Sequence, residues 1–426
     1  MHDFRVPFDS RGGTEVLQDS QVYLHRTEVT MKGRIFYTAT DEEIKRGETT
    51  DIYFRRTRTI LEKKNLDKDV VAEITCGKLP RDWQWAVLCG VEEIANLLED
   101  YPVDVDILPE GTIFGARDSA GIRSPVMNIR GPYKEFCELE TAILGLICQS
   151  TGIATSAARI KKILYNKQVL SFGVRRMHPA ISPMIDRSSY IGGFDGVSAV
   201  LSAKKLGIMP TGTMPHSLIV IAGDQVRAWR AFDDVMGRDV PRVMLCDTYF
   251  DEKIESVMAA ESIKRLNAIR LDTPGSRRGN FKEIIQEVRW ELNARGFKDV
   301  RIFVSGGLNE ESARTLKDSP VDGFGVGTYV SNSPVVDFAM NIVEIDKKPV
   351  AKRGVFGGEK QLYRCPNCFR DLAVLVSEKT PKCSKCNKKM RPLMKPLIRK
   401  GRIVAKLPSP REIRKNVLRE LEKIEL

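Results

Sequence analysis

Ser171-Phe172-Gly173-Val174-Arg175-Arg176 opens a series of short bursts in which reactive residue types end an apolar run and a helix-like stretch follows. The series continues with Gly192-Gly193-Phe194-Asp195-Gly196, Thr211-Gly212-Thr213-Met214-Pro215-His216, Cys246-Asp247-Thr248 and Arg270-Leu271-Asp272, and closes with Ser305-Gly306-Gly307 and Gly325-Val326-Gly327-Thr328. Repeated strand-then-helix units imply a parallel sheet. In a (β/α) barrel all strands point the same way, so residues far apart in sequence meet at the rim of C-terminal strand ends, where active sites of that fold lie. The pattern predicts strands at 169–172, 207–211, 243–247, 268–272, 300–305 and 323–326. It predicts helices at 216–236, 251–265, 280–295 and 310–317. Six or seven units, not eight, point to an irregular barrel, with an open doubly wound sheet as the alternative. An enzyme is the first expectation.

Outward from this region, 1–30 is polar and irregular and reads as an extension. From 31 to 134, short β-rich pieces alternate with helical ones, including an amphipathic helix over 82–99 with Trp83, Val87, Gly90, Ile94 and Leu97 on one face. Two helices, 135–150 and 155–166, open the barrel domain, which is expected to span 135–345. A C-terminal region occupies 346–426. The 426 residues suffice for two or three domains. No apolar run approaches the roughly 20 residues of a membrane helix, and no secretory h-region opens the chain, so the expectation is a cytoplasmic protein without a membrane partner. The net charge of +12 is concentrated: residues 341–426 carry 23 Lys and Arg against 9 Asp and Glu, leaving −2 for the remainder. Such a basic region attracts anions, nucleic acid or a polyphosphate substrate, or is simply a solvated face.

Of nine cysteines, five sit in apolar contexts and read as small buried hydrophobes. The other four form Cys365-Pro-Asn-Cys368 and, fourteen residues on, Cys383-Ser-Lys-Cys386. Two such knuckles can offer four thiolates to one Zn²⁺, with no open coordination position, so the metal is expected to be structural.

Within the bursts, an Asp at a strand end (Asp272) can hold ribose hydroxyls or Mg²⁺, and the arginines Arg270 and Arg277 suit phosphate oxygens; a structural ion pair is the alternative. The pairs Ser305-Gly306-Gly307 and Gly325-Val326-Gly327-Thr328 close consecutive strands, where glycines let backbone N–H groups approach a phosphate. Phe172 with Arg175 and Arg176 can stack on and neutralise a flat anionic ring, or Phe172 is core. Asp195 among glycines can accept a ring N–H, or caps a loop. His216 at a helix start can be a nucleophile or proton shuttle, or a helix-start hydrogen-bonding residue. There is no Ser-His-Asp pattern, P-loop or dinucleotide fingerprint.

Taken together, Ser171–Ser198, Gly212–Ser217, Asp247–Lys253, Arg270–Asn280, Ser305–Leu308 and Phe324–Thr328 resemble the nicotinate phosphoribosyltransferases, in particular a short archaeal form that ends in a zinc knuckle. The resemblance spans about 36–422. It implies an α/β fold: an irregular (β/α) barrel of the type II phosphoribosyltransferase kind, an N-terminal α/β sandwich domain and a small C-terminal Cys₄ zinc module. It implies transfer of phosphoribose from phosphoribosyl pyrophosphate to nicotinate, giving nicotinate mononucleotide and pyrophosphate in NAD salvage, with Mg²⁺ and with ATP coupling through phosphorylation of His216. It implies a homodimer with shared active sites, Tyr53 of one subunit closing the ring site of the other. Phe172 then stacks on the pyridine and Arg175 meets its carboxylate. Asp247 and Asp272 sit near ribose and Mg²⁺, Arg270 on the ribose-phosphate side, and Gly306, Gly307, Gly325 and Gly327 at the 5′-phosphate. A quinolinate or nicotinamide phosphoribosyltransferase is the same-class alternative; a zinc-ribbon RNA-binding protein is the alternative from another class.

Overall fold

The parallel sheet is present, and a second, antiparallel sheet drawn from both ends of the chain stands beside it. The structure is a computed structural model that describes residues 36–426, so the expected extension at 1–30 lies outside the described residues. Every element named here belongs to the compact unit Asp41–Leu426. Its strands are β1 (Asp69–Cys76), β2 (Ala86–Val87), β3 (Asp104–Ile107), β4 (Ile113–Phe114) and β5 (Met127–Pro132), then β6 (Gln168–Ser171), β7 (Gly196–Val197), β8 (Val243–Leu245), β9 (Ala268–Leu271), β10 (Arg301–Val304) and β11 (Gly323–Val326). The last group is β12 (Phe338–Ile345), β13 (Lys348–Pro349), β14 (Lys360–Arg364), β15 (Asp371–Leu375), β16 (Arg391–Pro392), β17 (Lys395–Arg399) and β18 (Arg402–Ile403).

Strands β6 to β11 form the six-stranded sheet, in the order β7-β6-β11-β10-β9-β8, with every pairing parallel. No ladder joins β7 to β8, so the barrel is open along one seam. The seven-stranded sheet runs β13-β12-β1-β5-β3-β17-β18 and is antiparallel throughout. The segment 346–426 is therefore divided. β17 and β18 extend the N-terminal sheet, while β14, β15 and β16 form a small sheet that carries the cysteines.

One helix joins the two cores. Glu140–Ile163 is continuous over 24 residues where two helices were expected. Its first half buries Ile143 and Ile147 in the core of the antiparallel sheet, and its second half buries Ile153, Ala157 and Ile160 in the barrel core. Each such isoleucine contributes about 1.5–3 kcal/mol by burial. Gly152 sits inside this helix because a Cβ there would lie 2.2 Å from Pro334 O. The stretch Tyr133–Ile163 is long and apolar enough to cross a membrane by composition, yet 61% of its most apolar window is buried inside the protein, which is the environment of a core helix.

Other expectations fail for local reasons. The helix expected over 82–99 shortens to Val91–Leu98, because Ala86 and Val87 pair with Phe114 and Ile113 and Gly90 turns with φ 99°. No strand forms over 207–211: Gly207 caps Val200–Leu206 with φ 66°, and a single bond from Thr211 N to Val197 O (2.8 Å) is what remains of a ladder. The helix expected over 216–236 breaks at Gly223 (φ 78°) into His216–Ala222 and Gln225–Val235. Asp224 starts the second piece by accepting from Arg227 N at 2.7 Å.

The C-terminal helix Pro410–Leu421 opens with a Ser409/Glu412 capping box. It buries Ile413, Val417 and Leu421 against Trp85, Val87, Ile113, Ala154 and Ala158. It thus touches residues of both halves.

Candidate active site

The C-terminal ends of the parallel strands surround a cavity of about 980 Å³. Phe172, Arg175, Arg176, His216, Arg270, Asp272, Ser305, Gly306, Gly307, Gly325, Gly327 and Thr328 all line it, together with Ser198, Thr213, Ser217, Asn309 and Tyr329. The spatial convergence expected of a barrel rim is therefore met for these residues.

Phe172 leaves β6 with its N–H bonded to Val326 O at 2.9 Å. Its ring lies on Gly325: a Cβ at that glycine would be 2.3 Å from the ring. Gly173 is equally tight, since a Cβ there would be 2.8 Å from Gly327 O. These two glycines let β6 and β11 deliver an aromatic face and a glycine loop to one spot. Next along the sheet, β10 leads into Ser305, followed by Gly306 and Gly307 at φ 85° and 68°. Arg278 holds this turn, donating from Nη2 to Ser305 O at 2.6 Å and lying 4.3 Å above the Phe281 ring.

The acidic end is built by β8 and β9. Asp272 accepts from Ser305 Oγ at 2.6 Å through Oδ1. Its backbone N–H donates to Asp247 Oδ2 at 2.7 Å, and Thr273 Oγ1 lies 2.9 Å from the same oxygen and 2.6 Å from Glu252 Oε1. Asp247 Oδ1 is buried with no hydrogen-bond partner. Burial raises the Asp247 carboxyl above its ordinary value; the Thr273 hydroxyl, His216 and the Asp272 N–H oppose that shift, and the neighbouring Asp272 carboxylate adds to it. His216, first residue of its helix, meets Thr248 Oγ1 through Nδ1 at 3.0 Å. Its Nε2 lies 3.8 Å from Asp247 Oδ1 and 4.0 Å from Asp272 Oδ2. Arg270 reaches in from β9, donating to Thr213 Oγ1 at 2.6 Å with Nη2 3.7 Å from Asp272 Oδ2. Burial pulls its guanidinium below the usual arginine range, partly offset by Asp272 and Asp247. An orphaned carboxylate oxygen beside a second carboxylate suits a hard divalent cation. The glycine turns offer backbone N–H groups to phosphate oxygens.

Four expected residues do not line the cavity. Asp195 is not on the cavity. Its Oδ2 accepts from Lys161 Nζ and Val169 N, each at 2.8 Å, and its Oδ1 pairs with Arg414 Nη2 at 2.5 Å. Both oxygens are spent tying β6 to two helices, and nothing is left for a ring N–H. Arg277 is exposed on the turn Gly275–Arg277, and the neighbouring Arg278 supports the glycine turn in its place. Tyr53 is exposed on the helix Ile52–Lys63, 3.3 Å from Asp51 Oδ2, and does not line this cavity within its own chain. Asp247 lies just behind the lining. Conversely, the sequence reading named Thr248 in a burst without a role and did not single out Glu252, Glu255, Thr273 or Tyr329. Tyr329 holds Glu310 Oε1 at 3.0 Å and lies 4.9 Å beneath the Arg81 guanidinium.

The cysteines form a separate centre. All four sulfurs lie within 4.8 Å of one another. A tetrahedral Zn²⁺ site with bonds of about 2.3 Å needs sulfurs roughly 3.8 Å apart, so the cluster fits a metal such as zinc. The two knuckles share one geometry. Cys365 N bonds Arg370 O and Cys383 N bonds Lys388 O, each at 2.9 Å. The residue after each second cysteine, Phe369 or Asn387, has φ 56°.

A glycine-lined rim, an aromatic face with arginines and a carboxylate pair around one cavity define an enzyme of the phosphoribosyltransferase class. Comparison with known proteins gives the family. Residues 51–151 match the model of the quinolinate phosphoribosyl transferase N-terminal domain, and 153–341 that of its C-terminal domain. The nicotinate phosphoribosyltransferase pncB2 of Mycobacterium tuberculosis is 31% identical over 360 residues, 74% of each chain. A crystal structure described as nicotinate-nucleotide pyrophosphorylase from Pyrococcus furiosus is 52% identical, covering 92% of this chain and 99% of that one, with a TM-score of 0.88. The structure of human nicotinic acid phosphoribosyltransferase, 19% identical over 88% of this chain and 94% of its own, shares the fold with a TM-score of 0.68. The chain belongs to the family of nicotinate and quinolinate phosphoribosyltransferases.

Proposed function

We propose that this protein is a nicotinate phosphoribosyltransferase. The observation that carries the reading is that Phe172, Arg175 and Arg176 share one cavity with the glycine turns at 305–307 and 325–328 and with Asp272. A planar monocarboxylate and a sugar phosphate are thereby given complementary walls. The ring nitrogen forms the bond to ribose C1 as the electrons of the C1–O bond leave with pyrophosphate. Phe172 stacks on the ring and Arg175 pairs with its carboxylate, so a bimolecular encounter becomes a positioned attack. The turns at 306–307 and 325–327 bind the 5′-phosphate, and Arg270 and Asp272 hold the ribose side. Asp247 and Asp272 would hold Mg²⁺, which supplies positive charge beside the leaving pyrophosphate.

Further parts of the same reading are ATP coupling with His216 as phosphoryl acceptor, a structural zinc at Cys365, Cys368, Cys383 and Cys386, and a homodimer in which Tyr53 of one subunit faces the ring site of the other. The exposure of Tyr53 outside its own cavity supports the last.

Quinolinate is the second reading, favoured by the match to the quinolinate domain models over 51–341. The deciding experiment supplies phosphoribosyl pyrophosphate, Mg²⁺ and one of nicotinate, quinolinate or nicotinamide, with and without ATP, and identifies the nucleotide formed. Nicotinate mononucleotide from nicotinate, raised by ATP, is the expected result. Product from quinolinate alone, with carbon dioxide released, replaces the first reading with the second.

A further inference from the structure

A single helix builds the layer behind the carboxylates. Glu252–Ser262 is started by Asp251, whose side chain accepts from Ile254 N at 2.9 Å. One turn in, Glu255 is fully buried. Its carboxylate accepts three consecutive backbone N–H groups: Thr248 N at 3.0 Å on Oε2, then Tyr249 N at 2.7 Å and Phe250 N at 2.9 Å on Oε1. Charge-assisted bonds of this kind are about twice as strong as neutral ones, and three of them hold the 248–250 loop in one shape. That loop presents Thr248 Oγ1 to His216 Nδ1 at 3.0 Å. An imidazole is aimed by what its second nitrogen is bonded to; a hydroxyl can donate to Nδ1 or accept from it, so this bond fixes the direction of the ring in either tautomer. With Nδ1 held, Nε2 faces Asp247 and Asp272.

We infer that Glu255 and Thr248 form a positioning relay: Glu255 fixes the loop, Thr248 fixes the imidazole, and His216 Nε2 is thereby held toward the carboxylate pair. Neither residue lines the cavity, so both act through His216. The inference rests on the reading of His216 as a working residue of phosphoribosyl transfer. A mere brace between helix and loop would affect stability alone; the relay predicts an effect on turnover that follows the Thr248 hydroxyl.

The test uses the full chain. Thr248→Val removes the hydroxyl at nearly constant volume, Thr248→Ser keeps it, and Glu255→Gln keeps the shape of the brace but weakens its grip on the amides. Thr248→Val is expected to lower kcat by about tenfold or more while KM for nicotinate stays within about twofold, and Thr248→Ser is expected to recover most of the loss. A second readout does not need turnover. The chain has four histidines, so ¹⁵N-histidine spectra are simple, and His216→Ala identifies the His216 ring signals. Those signals should be sharp and single in the unmodified protein and shifted or exchange-broadened in Thr248→Val and in Glu255→Gln, as a ring released from one orientation would give. Unchanged kcat in Thr248→Val overturns the relay, as does a fall in kcat with unchanged ring signals, because the hydroxyl then acts elsewhere. Should Glu255→Gln fail to fold, the Thr248 variants decide alone. If the unmodified protein transfers phosphoribose to no pyridine, the functional reading fails, and the ring signals still judge the relay.

Discussion

Asp272 is the residue through which the cavity is wired. Its backbone binds Asp247, its side chain holds Ser305, and Arg270 and His216 face it. Asp272→Asn keeps the volume and the backbone bond but removes the charge. Turnover is expected to fall by at least about a hundredfold with thermal unfolding little changed, measured as kcat beside a melting curve. Gly325 tests the ring wall. Its substitution by Ala drives a Cβ into Phe172, so KM for the pyridine should rise several-fold while KM for the phosphoribosyl donor changes less. Asp195 gives the opposite signature. Asp195→Ala strands the nearly buried Lys161 and should cost about 2–3 kcal/mol of stability without altering KM, as read by denaturant unfolding and steady-state kinetics.

At the scale of elements, strand ends were legible because each combines a β-branched or apolar run with residues unsuited to a strand interior. Five of the six expected strands are present within a residue or two at most boundaries. The sixth, 207–211, has the apolar Ile208 and Met209 but is flanked by Gly207 and Pro210, and turn chemistry prevailed. Glu255 was illegible for a different reason. A glutamate one turn into a helix reads as a solvated residue, and nothing local announces that three amides converge on it. Asp195 misled because glycine neighbours suggested a ligand, whereas its partner Arg414 is 219 residues away.

Glu140, first residue of the bridging helix, carries a pH prediction. Burial pushes its carboxyl up from 4.5 to about 7, with Lys352 opposing. The folded state therefore holds a proton that the unfolded chain releases at lower pH. The contribution of Glu140 to stability is fully present below about pH 4.5 and is lost as pH rises through about 7. Glu140→Gln cannot ionise, so its melting temperature should gain on that of the unmodified protein between pH 5 and pH 8. Parallel curves across that range would remove the assignment. The cysteine knuckles make a separable test: Cys383→Ser should release about one equivalent of zinc and loosen β14–β16 while changing kcat little, followed by metal analysis and kinetics.

Over the whole molecule, the C-terminal helix works as a strap. Arg414 bonds Gly193 O and Phe194 O, Glu420 pairs with Arg364, and Trp85 Nε1 reaches Glu425 O at 2.6 Å. Ending the chain at Ser409 would expose the surface that Ile413, Val417 and Leu421 bury. At about 1.5–3 kcal/mol for each side chain, the loss approaches the total stability of many proteins. The truncated chain is expected to be insoluble or to unfold well below the full one, seen by expression and calorimetry.

The position of β17 has a further consequence. This strand, made from residues 395–399, lies between β3 and β18 in a sheet begun at residue 69. Until residues 395–399 have been made, β3 presents an unsatisfied backbone edge to other chains. Polypeptide synthesis proceeds at about 5–20 residues per second, so the chain made between β3 and β17 leaves that edge open for about 15–60 s. A strand made late thus closes a gap left open by the first quarter of the sequence, and chaperone demand should persist until that strand is made.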